Sequence, residues 1–228
     1  MTDPNAAFRA WPARSADRRF DRMAPVERTA PVEDGQRAVQ QVVLRSFATT
    51  GAPPRPQQLM DTARRYGSDI DQVLADLAAG DYLAFDGGGA IRAAYPFSGV
   101  PTVHRVHIDG GADVHAMCAI DALGIAAMLS RDVRIDSIDP HTGSPVTVTI
   151  TGGHADWYPS SAVVFAGARG QGGPSVDTCC SYLNFHTDRA SAAAWAAAHP
   201  HIEGTILDQS SALALGQATF GPILTAPI

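Results

Sequence analysis

Lysine is missing altogether: all 17 basic residues of this 228-residue chain are arginine. That excludes a Schiff base with pyridoxal phosphate or a carbonyl substrate, and it excludes a P-loop, since both need a lysine amine. Cysteine is scarce, with three residues at Cys118, Cys179 and Cys180. Three thiols cannot build the paired framework of a small secreted domain, and without a C-x-x-C a thioredoxin-type redox role is disfavoured. No apolar run approaches the roughly 18 residues a membrane helix needs, and the N-terminus lacks a signal-peptide core, so the expected location is cytoplasmic with no membrane partner. A net charge of -6 argues against a nucleic-acid partner. What is present is a globular composition, 45% hydrophobic and 18% charged, on a chain long enough to bury a real core.

The pattern divides into three parts. Residues 1–34 are rich in Arg, Pro, Asp and Ala, with six arginines facing six acidic residues and no periodicity, which predicts a disordered tail. Residues 35–100 read as a small helical domain. Val39, Val42, Val43 and Phe47 form one stripe, and Leu59, Ala63 and Tyr66 a second. Ser68 is expected to cap a third helix that Gly80 closes, and a glycine-turn hairpin over YLAFDGGGAIRAAYPF follows. Three helices and a hairpin make a winged-helix-like plan. The third helix, which would face DNA, carries Asp69, Asp71 and Asp76 and no basic residue, so DNA binding is disfavoured.

Residues 101–228 read as an α+β domain with a mixed, mostly antiparallel sheet and flanking helices. The expected strands are VHRVHID, VRIDSID, VTVTITG, SAVVFAG, TCCSYLNF and GTILD, with helices after Cys118, after Thr187 or Asp188, and from about Gln209. Trp157 and Tyr158 are assigned to a polar loop.

The chemistry concentrates in 115-HAMCAIDALGIAAML-129. Cys118 and Asp121 are three residues apart and share a helix face. A cysteine in the first turn meets unpaired N–H groups that favour a thiolate. A neighbouring charge and apolar surroundings would raise the Asp121 carboxyl and let it deliver a proton. The alternative, which spacing alone favours, is a buried cysteine with Asp121 capping nearby. Cys179 and Cys180 fall in an expected strand, where side chains alternate, so only one of them can join Cys118; parity does not say which. Thiols from a helix and a strand suit a soft metal, and a nearby acid adds a proton for a leaving carbanion. The histidines do not make a zinc site: His104 and His107 lie on opposite strand faces, and His199 and His201 flank Pro200 past a helix end.

Taken together, MCAIDALGIAAML, the turn HTGSPVTVTI, TCCSYLNFHTDRASAAAWAAAHPHIEG and ILDQSSALALGQATF resemble the alkylmercury (organomercurial) lyases over roughly residues 36–224. The resemblance implies protonolysis of a carbon–mercury bond to a hydrocarbon and Hg(II), with an organomercury compound as substrate and no separate cofactor. Position by position it gives Cys118 as the first catalytic cysteine, Asp121 as the catalytic acid and Cys179 as the second cysteine. It makes Cys180 the family's dispensable neighbour. All three chemical residues would hold Hg(II) until cellular thiols or a mercuric reductase removed it. Two positions depart from the family: Met117 stands where a bulky aromatic is common, and Asp139 stands roughly where a further, non-catalytic cysteine occurs. The competing expectation is a thiol-based carrier of Hg(II) or Cu(I) without turnover.

Overall fold

The structure, a computed structural model, describes residues 31, 33–168, 175 and 180–225. The expected N-terminal tail lies outside them, except Pro31, Glu33 and Asp34, as does Cys179.

Three helices come first: α1 (Asp34–Thr50), α2 (Pro56–Arg65) and α3 (Ile70–Ala79). Helix α1 turns its Val39, Val43, Leu44 and Phe47 stripe inward and stops at Gly51, whose φ of 74° lets its N–H return to the Phe47 carbonyl. Helix α3 is capped by Asp69, not Ser68: the Asp69 carboxylate accepts from the N–H groups of Asp71 and Gln72. A carboxylate offers two acceptor oxygens to a positive helix end, and it outcompetes the hydroxyl one residue earlier.

The hairpin of β1 (Leu83–Phe85) and β2 (Ile91–Ala94) leads through β3 (Phe97–Ser98) into β4 (Arg105–Ile108) and β5 (Asp113–Ala116). Then come α4 (Ala119–Leu129), β6 (Val133–Ile138), β7 (Pro145–Thr151), β8 (His154–Tyr158) and β9 (Val163–Ala168). A 3-10 turn at Cys180–Tyr182 opens β10 (Leu183–His186), followed by α5 (Arg189–Ala198), β11 (Glu203–Leu207) and α6 (Gln209–Phe220). Among the described residues an eight-stranded sheet runs β1-β2-β3-β5-β4-β6-β7-β8 and a three-stranded one β10-β9-β11. The pairings are antiparallel throughout. This is the expected α+β architecture, and among the described residues no helix is long and apolar enough to cross a membrane.

Two assignments change. Trp157 and Tyr158 lie in β8, with Trp157 opposite Val148, rather than in a loop. HADWY alternates only weakly, with Ala155 and Trp157 half-buried against the core between exposed His154, Asp156 and Tyr158, as an edge strand with no fully buried residue does. TCCSYLNF is not one continuous strand: residues 180–182 form the 3-10 turn and only Leu183–His186 pair with β9.

The helix that carries the site residues is held by α6. A Cβ on Gly124 would sit 2.7 Å from the Gly216 carbonyl oxygen, and one on Gly216 would sit 2.9 Å from the Gly124 nitrogen. The two backbones therefore touch where the glycines cross, a spacing no larger residue permits.

Candidate active site

Strand β5 delivers the chain to the site. Its last residue, Ala116, pairs with Phe97 of β3, and the Met117 N–H donates to the Pro96 carbonyl, 3.1 Å away. Cys118 follows in extended conformation and is the N-cap of α4, one position before the first turn in which the spacing placed it. Its Sγ accepts the Asp121 N–H at 3.4 Å. Sulfur here takes the place usually held by a serine or aspartate oxygen, because the residue three positions on presents a free helix N–H. The same cap sets the Asp121 residue against the sulfur, close enough for its carboxyl to act on the thiol.

Both groups are buried, Cys118 at 2% exposure and Asp121 at 4%. The expectation of a ready thiolate fails on that burial. Desolvation pushes the Cys118 thiol up to about 11; a hydrogen bond from Cys180 and the Asp121 N–H pull it down, while the charge and the accepting oxygen of Asp121 push it further up. The helix end is thus outweighed by loss of water. At neutral pH Cys118 holds its proton.

Cys180 is 5% exposed and lies in the same buried cluster as Cys118. The strand-parity argument does not reach Cys180, because a 3-10 turn does not alternate faces; the turn is tied by the Asn184 amide donating to the Ser181 carbonyl at 2.9 Å. Cys179, the expected second catalytic cysteine, lies outside the described residues, so its position relative to Cys118 and Asp121 is not part of this geometry.

A second buried polar cluster, which sequence reasoning passed over, sits at the other end of β10. Asp139, fully buried, accepts the N–H groups of His141 at 2.8 Å and Thr142 at 3.3 Å on Oδ1. On Oδ2 it accepts the Thr187 N–H and hydroxyl, each at 2.8 Å, and the Ser191 hydroxyl at 2.7 Å. Burial alone would raise this carboxyl, but those donors outweigh it and hold Asp139 well below the usual carboxylate range. His186 Nδ1 lies 3.3 Å from Oδ1, and burial keeps that imidazole neutral against the pull of the carboxylate. The cluster pins the HTG turn, β10 and the start of α5 together. The D-P-H-T-G turn followed by Thr187 and Ser191 was the available signal.

Two further histidines have other partners. His104 is buried on Ser137, 2.9 Å away, and His107 points to the other face between Asp113 and Asp136. Among the described residues no cluster of three or more His, Cys, Asp or Glu side chains could hold a metal ion.

Residues 97–221 match the family model described as alkylmercury lyase. The alkylmercury lyase of Staphylococcus epidermidis is 28% identical over 163 residues, 71% of this chain and 74% of that protein. The alkylmercury lyase of Streptomyces lividans is 26% identical over 175 residues, 76% of this chain and 80% of its own length. Among solved structures, the mercury-bound form of MerB2 matches with a TM-score of 0.68, covering 98% of this chain and 100% of that one at 21% identity, a likeness of fold.

Proposed function

Because this chain belongs to the alkylmercury lyase family, matching its model over more than half its length, we propose that it cleaves the carbon–mercury bond of alkyl- and arylmercury compounds with Cys118, Asp121 and Cys179. The observation that carries the proposal is the N-cap geometry, in which the buried Cys118 sulfur accepts the N–H of the buried Asp121 at 3.4 Å and so sets thiol and acid at one helix end. It supplies a soft nucleophile and a place for its proton at one point.

The steps balance as follows. The Cys118 sulfur takes the mercury of R–Hg–X, releasing X⁻, while its proton passes to Asp121; the products are Cys118–S–Hg–R and a neutral carboxylic acid. A second cysteine then binds the mercury as thiolate, losing its own proton to solvent. Its donation pushes electron density onto carbon, and the Asp121 proton moves to that carbon as the carbon–mercury bond breaks, giving R–H. The mercury stays behind as Hg(II) between two sulfurs, with the Asp121 carboxylate restored beside it. A buried site favours this order, since removal of water strengthens the attraction between the acid's proton and the developing carbanion. The family resemblance supports Cys179 as the second thiol. No separate cofactor takes part, and Hg(II) leaves by exchange onto external thiols or onto a mercuric reductase.

Headspace chromatography of hydrocarbon from phenylmercury or methylmercury, with excess monothiol present, tests the reading. The intact chain should release benzene or methane over many turnovers. A chain that binds Hg(II) stoichiometrically and releases no hydrocarbon is a carrier, and the proposal is then lost.

A further inference from the structure

His104 enters none of the proposed chemical steps, yet it is buried between the strand that feeds Cys118 and strand β10. Resting on the lyase reading above, we infer that His104 is a positioning residue for that reaction: its ring holds β10 at a fixed spacing from the chain that presents Cys118 and Asp121.

The backbone of His104 is fastened to the Cys118 side. Its carbonyl accepts the Ala116 N–H at 2.9 Å. Its own N–H donates to the Thr102 hydroxyl at 3.2 Å, and that hydroxyl donates to the Ala116 carbonyl at 2.7 Å. Ala116 stands two residues before Cys118, so the imidazole and the thiol are set by one short run of chain. The ring reaches the other way. Its Nδ1 lies 2.9 Å from the buried Ser137 hydroxyl of β6. It meets the Phe185 ring of β10 edge to face, with 5.7 Å between centroids and 65° between planes. Phe185 is fully buried and packs in the same manner on Trp157, so it has no room to retreat. One residue earlier the Asn184 amide donates to the Ser181 carbonyl at 2.9 Å, tying β10 to the turn Cys180–Tyr182. Strand β10 also packs on α4. Burial lowers His104 to about 4, so near pH 7 the ring sits uncharged among these groups.

The two stages of the proposed reaction differ in what they need. Capture of R–Hg by Cys118 uses one sulfur. Cleavage needs a second sulfur, from the chain just before β10, against the same mercury while Asp121 delivers its proton. It therefore depends on the spacing between segments, and a displacement of about 1 Å costs on the order of 100-fold in such an arrangement. Loss of the ring slows cleavage and leaves capture intact. The Ser137 contact does something else: it satisfies a buried hydroxyl and supports stability.

The test uses the full chain and one equivalent of phenylmercury in a single turnover, with His104→Asn, His104→Phe and Phe185→Leu variants. Capture is followed by sulfur-to-mercury absorbance in the near ultraviolet, and cleavage by benzene release. Asparagine keeps a polar partner for Ser137 and removes the ring; phenylalanine keeps a ring and leaves Ser137 without its partner. In His104→Asn, capture should stay within a few-fold while benzene release slows by roughly 10- to 100-fold. His104→Phe should release benzene within a few-fold of the intact chain and melt at a lower temperature. Intact release in His104→Asn, or equal slowing in both His104 variants, overturns the inference. If either His104 variant does not fold, Phe185→Leu decides, since it removes the same contact from the other side: slow release sustains the inference and intact release overturns it. An intact chain that releases no benzene sinks the lyase reading instead. Hydrogen exchange then tests His104 by itself: faster exchange at Leu183–His186 in His104→Asn or, where that variant does not fold, in Phe185→Leu sustains its positioning of β10, and unchanged protection there overturns it.

Discussion

Two aspartates are buried in this chain to nearly the same degree, Asp121 at 4% exposure and Asp139 at 0%, yet their neighbours differ in kind. Asp139 is surrounded by five N–H and O–H donors from the turn after β6, the end of β10 and the start of α5. Such a carboxylate is locked in its charged form and has no proton to give at neutral pH. Asp121 lies beside a thiol that burial pushes up to about 11, the proton source in the proposed reaction. Burial costs both groups solvation; what separates a structural acid from a chemical one is whether its partners hold it charged or exchange a proton with it.

The contrast can be broken experimentally. The largest effect should come from Cys118→Ser, which removes the soft sulfur common to every proposed step: hydrocarbon release should fall by at least ~1,000-fold, and residual activity near wild type would remove Cys118 from the reaction. Next, Asp121→Ala should lower turnover by roughly 10²- to 10⁴-fold, the usual worth of a positioned proton donor, while Hg(II) binding persists. Asp139→Ala should do the reverse. It strands several buried donors, so unfolding stability should drop by about 3 kcal/mol or more in urea titration. At a temperature where the variant is folded, kcat should stay within a few-fold. If Asp139→Ala stops turnover in a folded chain, the division between the two acids fails.

Acidity sharpens the comparison further. His104 is lowered from 6.5 to about 4, by burial first and by the charge of His115, against a hydrogen bond with Asn184 that acts the other way. The unfolded chain therefore takes up this proton before the folded one does. Stability is whole above about pH 6.5 and is lost as pH falls toward 4, at up to about 1.4 kcal/mol per pH unit. His186, also lowered, acts in the same direction, and Asp139 extends the loss to lower pH because its folded value lies under its unfolded one. Urea midpoints between pH 7 and 4.5 should fall, and His104→Gln should flatten part of that slope; an unchanged slope would show that His104 does not carry it. The smallest effect belongs to Gly216→Ala, whose Cβ would press on Gly124 N and Ile120 O, each at 2.9 Å. A cost of about 1–3 kcal/mol is expected from that overpacking, read as a lower melting temperature.

Much of this was legible beforehand, for reasons that can be named. Strands with one buried face announced themselves: Val133, Ile135, Val146, Val148 and Ile150 alternate, and all are buried. Helix α4 was visible from its apolar run, and the i, i+3 spacing put Cys118 and Asp121 together because the N-cap geometry folds the third residue back on the first. Asp188, one of two proposed caps for α5, does accept the Ser191 N–H, at 2.7 Å. What escaped was set by tertiary context. The edge strand β8 is short and its inward face holds only Ala155 and Trp157, both half-buried. The 3-10 turn at Cys180 interrupts the strand in which side-chain alternation was expected. The protonated state of Cys118 depends on how much water the whole fold removes, and a local motif holds no information on that. The Asp139 cluster joins three segments, and only their convergence makes its residues a unit.

The glycine crossing has a consequence for how the molecule tolerates change. Helix α4 presents its thiol and acid from one end, while α6 contributes no reacting group, yet the two main chains abut at Gly124 and Gly216 with no side chain between them to act as a cushion. Any sideways slip of the C-terminal helix is therefore transmitted directly to the segment that aims Cys118 and Asp121. Loss or loosening of residues 209–220 should silence the enzyme without altering a single atom of its chemistry.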